Sequence, residues 1–299
     1  KKLIMPTSLK NNYGATFKTS PIFFILTRVV ILFFLIIIIF PLLYTFSLSV
    51  RSPETVYSAK FFLIPYEFSL QNYYDAFFYA EERLKVSFPR MFLNSVIVTT
   101  SSVILIITLS IFAAFSFSHL RFPMKESLYN VMIASVAMPA QVLLIPLFYL
   151  LIYFGIINTY TAVILAYAGF LIPIGILILR MFFEQIPKEM TEAGIVDGAS
   201  DFQLLLRILL PLAKPAIATC VILLFLDTWN EFIYAMIFMQ DPTIHTVPVG
   251  LAKIGSSRYH INIGTYSASV MITIIPVMLI FAIFQRWFIA GMTMGALKH

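Results

Sequence analysis

Residues 184–215 read EQIPKEMTEAGIVDGASDFQLLLRILLPLAKP, a polar segment that lies between two long apolar stretches. Pro187 precedes KEMTEAGIV and predicts a short helix there, because proline suits the first helical turn, where its missing N–H would be unpaired anyway. Asp197 and Gly198 follow and supply the chemistry of a turn and a helix stop. The segment is therefore predicted to begin with a helix that ends in a sharp turn.

A second helix is predicted directly after that turn. Ser200 and Gln203 have the spacing of a capping box. Apolar residues recur at i, i+3, i+4 and i+7 and predict one apolar face, formed by Phe202, Leu205, Leu206 and Leu209. Pro211 and Pro215 end this helix before the next apolar stretch begins.

The first of these helices carries two very small residues beside a carboxylate. Ala193 and Gly194 have almost no side chain, so another surface can approach the backbone closely. Glu192 places a negative charge there, available to a cationic or backbone donor. A solvated connector would share the caps and turns, whereas the small residues beside Glu192 favour a docking element.

The rest of the chain has the composition of a membrane protein. Of its 299 residues, 60% are hydrophobic and 11% are charged, against roughly 25% charged residues in soluble domains. Apolar stretches of about 20 residues recur, which is the length that crosses a bilayer as a helix. We predict an all-α membrane protein with six transmembrane helices, at 22–48, 94–117, 128–153, 160–183, 216–239 and 265–289.

Charge and cysteine content exclude other classes of protein. The net charge is +6, but no basic stretch is dense enough to bind nucleic acid. Cys220 is the single cysteine and cannot form an internal disulfide. The histidines are scattered, so no metal site is predicted.

The short loops predict the orientation of the spans. SHLRFPMKES, after span two, contains Arg121 and Lys125, whereas FGIINTY, after span three, has no basic residue. Basic loops stay in the cytoplasm, so both termini and the 184–215 loop are predicted to be cytoplasmic. The predicted organisation is a cytoplasmic tail at 1–21, the first transmembrane helix at 22–48, an external segment at 49–89, a core at 90–289 with an external loop at 240–264, and a cytoplasmic tail at 290–299.

The 184–215 loop resembles the EAA loop of ABC-importer permeases. FSLQNYYDAF, FPRMFLNSVIV, HLRFP, TWNEF and DPTIHTVPVGL are similar to the carbohydrate-uptake permeases related to the smaller maltose-transporter permease. The resemblance extends over nearly the whole chain and implies the type I ABC importer fold. It differs at Gly194, where the family often has alanine. The coupling positions that it implies are Glu192, Ala193, Gly194, Asp197, Gly198, Ala199 and Pro211.

The resemblance also implies partners and a location. They are a second homologous permease, two ATP-binding subunits that carry ATP-Mg, an extracytoplasmic solute-binding protein, a carbohydrate substrate and the bilayer of the bacterial inner membrane. The chain itself has no GxxxxGK[ST] phosphate loop. Hydrolysis is therefore expected in a separate subunit, and this chain is predicted to bind no cofactor and to be no enzyme.

Span five contains polar residues at helical spacing, namely Asp227, Asn230, Glu231 and Tyr234. A charge at the bilayer centre is unfavourable by about 2.5–3.5 kcal/mol, so this face is predicted to line a wet pathway or to meet polar partners. The first alternative would let these groups bind sugar hydroxyls, with Trp229 or Tyr234 against a sugar ring. The second is a packing stripe with buried hydrogen bonds. Gln141 in span three leaves the same two alternatives open.

The external loop 240–264 is rich in turn residues and mostly uncharged. In maltose-type systems the corresponding loop reaches toward the binding protein, which implies contacts from roughly Thr246 to Ser257. The residues expected to make them are Val247, Pro248, Val249 and Gly250. The alternative is a plain connector.

Two other classes of function compete with the importer. A secondary carrier would use Asp227 and Glu231 as coupling carboxylates, but the chain has six predicted spans and no evident internal repeat. A membrane-embedded enzyme would need a nucleophile motif or a His/Cys/Asp cluster, and the sequence has neither.

Overall fold

A computed structural model describes residues 21–57, 64, 67–84, 87–255 and 262–296. The predictions for residues 1–20, for the part of the external loop at 256–261 and for the last residues, 297–299, lie outside the described residues. Within the described ranges all regular secondary structure is helical. The all-α expectation is confirmed.

The helices follow one another from the first span to the end of the described chain. They are α1 Pro21–Ser49, α2 Gln71–Leu84, α3 Phe88–His119, α4 Lys125–Val136, α5 Leu144–Tyr153, α6 Tyr160–Phe183, α7 Lys188–Val196, α8 Asp201–Leu204, α9 Leu210–Leu212, α10 Lys214–Trp229, α11 Ile233–Phe238, α12 Val247–Ile254 and α13 Ile263–Ala296. In the described part of the chain, four of them, α1, α3, α6 and α13, are long and apolar enough to cross a membrane alone. The number becomes six when each of two bent helix pairs is counted as one span.

The third predicted span, 128–153, is broken rather than continuous. α4 ends at Val136, and the chain bends by 95° before the helical stretch Ala140–Tyr153. Pro139 stands at the break and caps a short 3₁₀ turn, Ala140–Leu143. Proline has no N–H to donate and its ring clashes with a preceding helical turn, which favours a break in the helix at Pro139.

The fifth predicted span, 216–239, is broken as well. The chain bends by 77° between the segment Asp201–Leu212 and α10, which forms the first part of this span. α10 carries a proline in its first turn. α10 ends at Trp229, and the chain resumes helical geometry only at Ile233 in α11. Polar residues on either side of that break therefore do not share one continuous helix face.

The ends of the predicted elements also differ at the second and the sixth spans. α3 begins at Phe88 rather than at 94, and α13 continues to Ala296 rather than ending at 289. Most of the segment predicted as a C-terminal tail, 290–299, is thus the last turns of α13. Both helices are longer than the hydrocarbon thickness requires, because about 20 residues suffice to cross it.

The core of the bundle is formed where α3, α6 and α10 pack together. Gly175 of α6 allows the closest approach, since a Cβ at this position would overlap the Ser110 hydroxyl of α3. Ser110 in turn donates a 3.3 Å hydrogen bond to the Ile172 carbonyl. In contrast, residues 22–43 of α1 are all exposed on this chain. Their apolar surface is left for lipid or for a partner subunit to cover.

Candidate coupling loop and span-five polar site

The loop between α6 and α10 begins with the predicted short helix. α7 runs from Lys188 to Val196 with Pro187 as its N-cap, and Asp197 is its C-cap. Gly198 follows with φ +80°, a left-handed conformation that costs non-glycine residues roughly 1–2 kcal/mol. The prediction of a helix that stops at the Asp-Gly pair is confirmed.

The second helix begins with the predicted capping box. The Ser200 hydroxyl accepts from the Gln203 N–H at 3.4 Å, and the Gln203 side-chain oxygen accepts from the Ser200 N–H at 3.0 Å. After Leu204 the helix widens into a π-helical turn, Leu205–Leu209. A π turn adds one residue to the turn and so rotates the face that follows.

This rotation makes the predicted single apolar face wrong. Leu205 and Leu209 are buried together with Leu204, whereas Phe202 is 58% exposed and Leu206 is 43% exposed. The buried group packs into the core of the bundle. The exposed group remains on the surface of the loop, where it has no apolar cover in this chain.

Gly194 has a different role from the one predicted for it. A Cβ at this position would lie 2.6 Å from Ile208 Cδ1 and 3.2 Å from Leu204 Cδ1. The close approach that glycine permits is therefore made by the loop's own second helix, and no partner can reach Gly194. Ala193 and Glu192 are exposed beside it.

The remaining coupling positions lie around the turn and at the far end of the loop. Asp197 and Gly198 are exposed, Ala199 is partly buried, and Pro211 is exposed within α9. Two apolar residues at the end of α7 are also strongly exposed: Ile195 by 60% and Val196 by 86%. We define the docking surface as Glu192, Ala193, Ile195, Val196, Asp197, Gly198 and Phe202. Large apolar side chains that stay exposed in this way, here Ile195, Val196 and Phe202, favour an interaction site.

In span five, Glu231 is held by three hydrogen bonds. Its Oε2 accepts from the Tyr167 hydroxyl of α6 at 2.7 Å and from the Ala235 N–H at 3.1 Å. Its Oε1 accepts from the Tyr234 N–H at 2.9 Å. Glu231 thus caps the first turn of α11 and joins it to α6, which satisfies otherwise unpaired N–H groups at a helix start.

The same site connects the two broken spans to each other. The Tyr234 hydroxyl donates a hydrogen bond to the Ala140 carbonyl, which lies in the 3₁₀ turn after the bend in span three. Tyr234 is buried against Phe170 and Phe238. The spacing of span-five residues does not predict this link, because spacing assumes an unbroken helix.

The predicted polar stripe is therefore divided into two groups. Partly buried Glu231 and buried Tyr234 form the hydrogen-bonded network, whereas Asp227 and Asn230 are exposed on the surface of this chain. Gln141 is also exposed, in the 3₁₀ turn of span three. Trp229 stacks on Phe225 with ring centroids 5.5 Å apart and is buried, so neither Trp229 nor Tyr234 presents a free ring face to a sugar.

Tyr167 is the member of this network that sequence reasoning missed. It is one tyrosine in a long apolar helix, and spacing alone gives it no partner. Its hydroxyl is the feature from which a contact could be predicted, because a buried polar group in a membrane span must find a hydrogen-bond partner.

The 240–264 loop contains a helix, α12, at the residues for which contacts to a binding protein are predicted. Val247 and Val249 are buried, and a Cβ at Gly250 would overlap the Met91 sulfur of α3. The Val247 N–H donates to the Ser95 hydroxyl at 2.8 Å. Three of the four predicted contact residues therefore pack inside this chain, and Pro248 is partly exposed. The prediction is corrected: Val247, Val249 and Gly250 have no surface to offer a partner.

The segment before α12 is fixed to α3 around His245. Asn94 donates to the carbonyls of Thr243 at 3.0 Å and His245 at 2.9 Å. Burial and the nearby Lys253 ammonium lower the pKa of His245 to about 4, so its ring is neutral at pH 7. Burial also lowers the pKa of Lys253. Among the residues that the structure describes, no three His, Cys, Asp or Glu side chains lie close enough to hold a metal ion.

Comparison with known proteins gives the family of this chain. Residues 106–294 match the model of the family "Binding-protein-dependent transport system inner membrane component". The diacetylchitobiose uptake system permease protein NgcG of Streptomyces coelicolor is 31% identical over 264 residues, which are 88% of this chain and 85% of that protein. The arabinooligosaccharides transport system permease protein AraQ of Halalkalibacterium halodurans is 31% identical over 283 residues, 94% of this chain and 99% of that one.

A solved structure has the same fold. A chain of a bacterial ABC transporter involved in the import of the acidic polysaccharide alginate superposes with a TM-score of 0.78 at 24% sequence identity. The match covers 91% of this chain and 98% of that chain. These matches show that this chain belongs to the family of inner-membrane components of binding-protein-dependent transport systems.

Proposed function

We propose that this chain is the permease subunit of an ATP-driven ABC importer for a carbohydrate, in particular an oligosaccharide. The relatives support the substrate class, since they include permeases named for diacetylchitobiose, for trehalose and maltose, and for arabinooligosaccharides. The chain would form half of the translocation pathway. ATP-Mg would bind to separate subunits, because this sequence has no phosphate loop.

The observation that carries the proposal is the exposed docking surface on a well-ordered loop. A helix that stops at the Asp197-Gly198 turn, a capping box and the packing of Gly194 against Ile208 define the loop's shape. Val196 and Phe202 nevertheless remain exposed, which favours burial against another protein. A cytoplasmic ATPase subunit fits this position, and its movement would be passed to α6 and α10 at the two ends of the loop.

The other partners follow from surfaces that this chain does not cover. A second homologous permease would cover part of α1 and the faces that carry Asp227, Asn230 and Gln141, since these polar groups are costly against lipid. Arg121 and Lys125 beside the coupling loop support a cytoplasmic location for this side and for both termini. An extracytoplasmic solute-binding protein would then meet the opposite side, near the exposed remainder of α12.

The Glu231 network supports the importer over a secondary carrier. A coupling carboxylate must exchange its proton or ion during each cycle, whereas Glu231 already accepts three hydrogen bonds within the chain. Its two oxygens are committed to holding α11 and α6 together. Asp227 alone remains exposed, and in the importer it would face the pathway or the second permease.

The test is uptake by the purified complex in proteoliposomes. We expect uptake of labelled oligosaccharide to require lumenal ATP, the binding protein and the ATPase subunits, and to persist when ion gradients are collapsed. Uptake driven by a proton or sodium gradient in the absence of ATP would contradict the proposal. Competition by a panel of neutral sugars would then identify the substrate class.

A further inference from the structure

A polar cluster joins the end of α6 to the start of α4, directly before the coupling loop. Arg180, in the last turn of α6, donates from Nε to Glu184 Oε1 at 2.7 Å. Its Nη2 donates to both carboxylate oxygens of Glu126, at 3.2 and 3.3 Å. The guanidinium carbon also lies 3.8 Å from the ring centroid of Tyr129 in α4. One side chain therefore contacts the first residue of the coupling loop and two residues of α4.

The cluster is arranged around a largely buried cation. The Arg180 side chain is 11% exposed, whereas its partner carboxylates are 47% exposed at Glu184 and 64% exposed at Glu126. Its Nη1 is buried and has no hydrogen-bond partner. Ion pairs on open surfaces contribute little, but a buried guanidinium between two carboxylates and an aromatic ring is held in one geometry.

Polar contacts attach the inner end of α4 to the bundle, and Tyr129 and Met132 pack on the core as partly buried residues. None of its residues is buried within the chain. Besides the contacts with Arg180, its first residue, Lys125, donates from Nζ to the carbonyls of Leu120 at 3.1 Å and Ser118 at 3.4 Å, at the end of α3. α4 is thus fixed at one end to α3 and α6, and its other end leads into the 95° bend before Gln141.

We propose that Arg180 is a positioning residue that passes movement of the coupling loop to α4 and so to the bend in span three. The inference rests on the proposed function, because it assumes that the 184–215 loop is moved by ATPase subunits. α4 has twelve residues, which makes it about 18 Å long. A tilt of about 10° at its inner end therefore moves the Gln141 end by about 3 Å.

The geometry requires arginine rather than a simple positive charge. The guanidinium holds Glu184 through Nε and Glu126 through Nη2 at the same time and lies over the Tyr129 ring. A lysine ammonium is one point charge on a flexible chain and cannot keep both carboxylates in fixed directions. Arg180→Lys retains the charge while loosening the link between loop and α4.

The experiment compares sugar transported per ATP hydrolysed in proteoliposomes of the full transporter. We expect Arg180→Lys and Glu126→Gln to hydrolyse ATP at rates near wild type while the transported amount per ATP falls roughly threefold or more. Glu126→Gln is the milder variant, because it leaves the Arg180–Glu184 pair in place. Arg90→Lys, which alters an arginine bonded to the Thr243 carbonyl on the opposite side, is the matched control and should keep the wild-type ratio.

The outcomes separate this inference from the proposed function. If wild-type uptake does not need ATP, the importer proposal fails. If wild-type uptake needs ATP but both variants keep the wild-type ratio, or lose uptake and hydrolysis in parallel with thermal stability, Arg180 is only a structural residue and this inference is overturned.

Discussion

The hydroxyl of Tyr167 donates a 2.7 Å hydrogen bond to Oε2 of Glu231, and this contact joins α6 to the break in span five. Glu231 also binds α11, since it accepts from the N–H groups of Tyr234 and Ala235. A carboxylate inside a membrane span is costly unless it is paired. At this break the carboxylate is paired, because the missing helical turn leaves backbone N–H groups free to donate hydrogen bonds to it.

Removal of the Glu231 carboxylate should therefore destabilise the protein. We expect Glu231→Ala to cost about 1–3 kcal/mol for each buried donor that it leaves unpaired, measured as a lower thermal midpoint of the purified transporter. Tyr167→Phe removes one hydrogen bond and should cost only about 1 kcal/mol. Unchanged stability in Glu231→Ala, together with lost uptake, would instead indicate a transport carboxylate.

The turn of the coupling loop should be sensitive to charge. Gly198 has φ +80° and nothing near its missing Cβ, so Gly198→Asp adds backbone strain of about 1 kcal/mol and a negative charge on the docking surface. We expect ATP hydrolysis to be uncoupled from uptake, or assembly with the ATPase subunits to fail. Gly155→Asp is the matched control, since Gly155 has φ +69° and equally open surroundings at the other end of α6. Normal coupled transport in Gly198→Asp would count against the docking role.

Gly194 should tolerate one methyl group but not a branched side chain. In Gly194→Ala the new Cβ displaces the ends of the Ile208 and Leu204 side chains, and the helix gains up to about 1 kcal/mol in propensity. Gly194→Val places further atoms between Ile208 and Leu204, and such overpacking costs about 1–3 kcal/mol. Thermal midpoints of the two variants test this, with Ala193→Val at the exposed neighbouring position as the control. Equal midpoints for Gly194→Val and Ala193→Val would contradict the packing described.

The outer segment should lose stability in mild acid through His245. Its pKa in the folded protein is lowered to about 4 by burial and by Lys253, whereas an unfolded histidine titrates near 6.5. Between these values the unfolded chain binds a proton that the folded chain does not, so stability is complete above about pH 6.5 and falls as the pH drops toward 4. Asp241 titrates below its ordinary range, since hydrogen bonds from Thr243 lower its pKa.

Thermal midpoints at pH 7.5 and pH 5 measure this effect. His245→Gln removes the titrating group and should reduce the difference between the two midpoints. A difference as large in His245→Gln as in the wild type would mean that another group causes it.

The helical class, the span positions and the caps of the coupling loop could be predicted because they depend on local chemistry. Pro187, Gly198 and the Ser200–Gln203 pair each act within one turn of the chain. The direction of side chains could not be predicted in the same way. Gly194 faces Ile208, which lies in a π turn of the same loop, whereas periodicity assumes a regular α-helix.

The polar residues of span five illustrate the same limit. Their i, i+3, i+4, i+7 spacing would place them on one face of an unbroken helix, but α10 ends at Trp229. Glu231 then turns toward Tyr167, 64 residues earlier in the chain. Contacts between distant spans depend on how the bundle packs, which a single sequence does not specify by spacing.

The central claim, that the docking surface meets an ATPase subunit, is tested most directly by cross-linking in membranes that contain the whole transporter. Cysteine is introduced at Val196, which is 86% exposed, or at Tyr153, which is 83% exposed at the end of α5, both in a Cys220→Ala background. With a short bifunctional thiol–amine reagent, Val196→Cys should cross-link to the ATPase subunit and Tyr153→Cys should not. An ATPase cross-link from Tyr153→Cys, or none from Val196→Cys in an assembled and active transporter, would contradict the account.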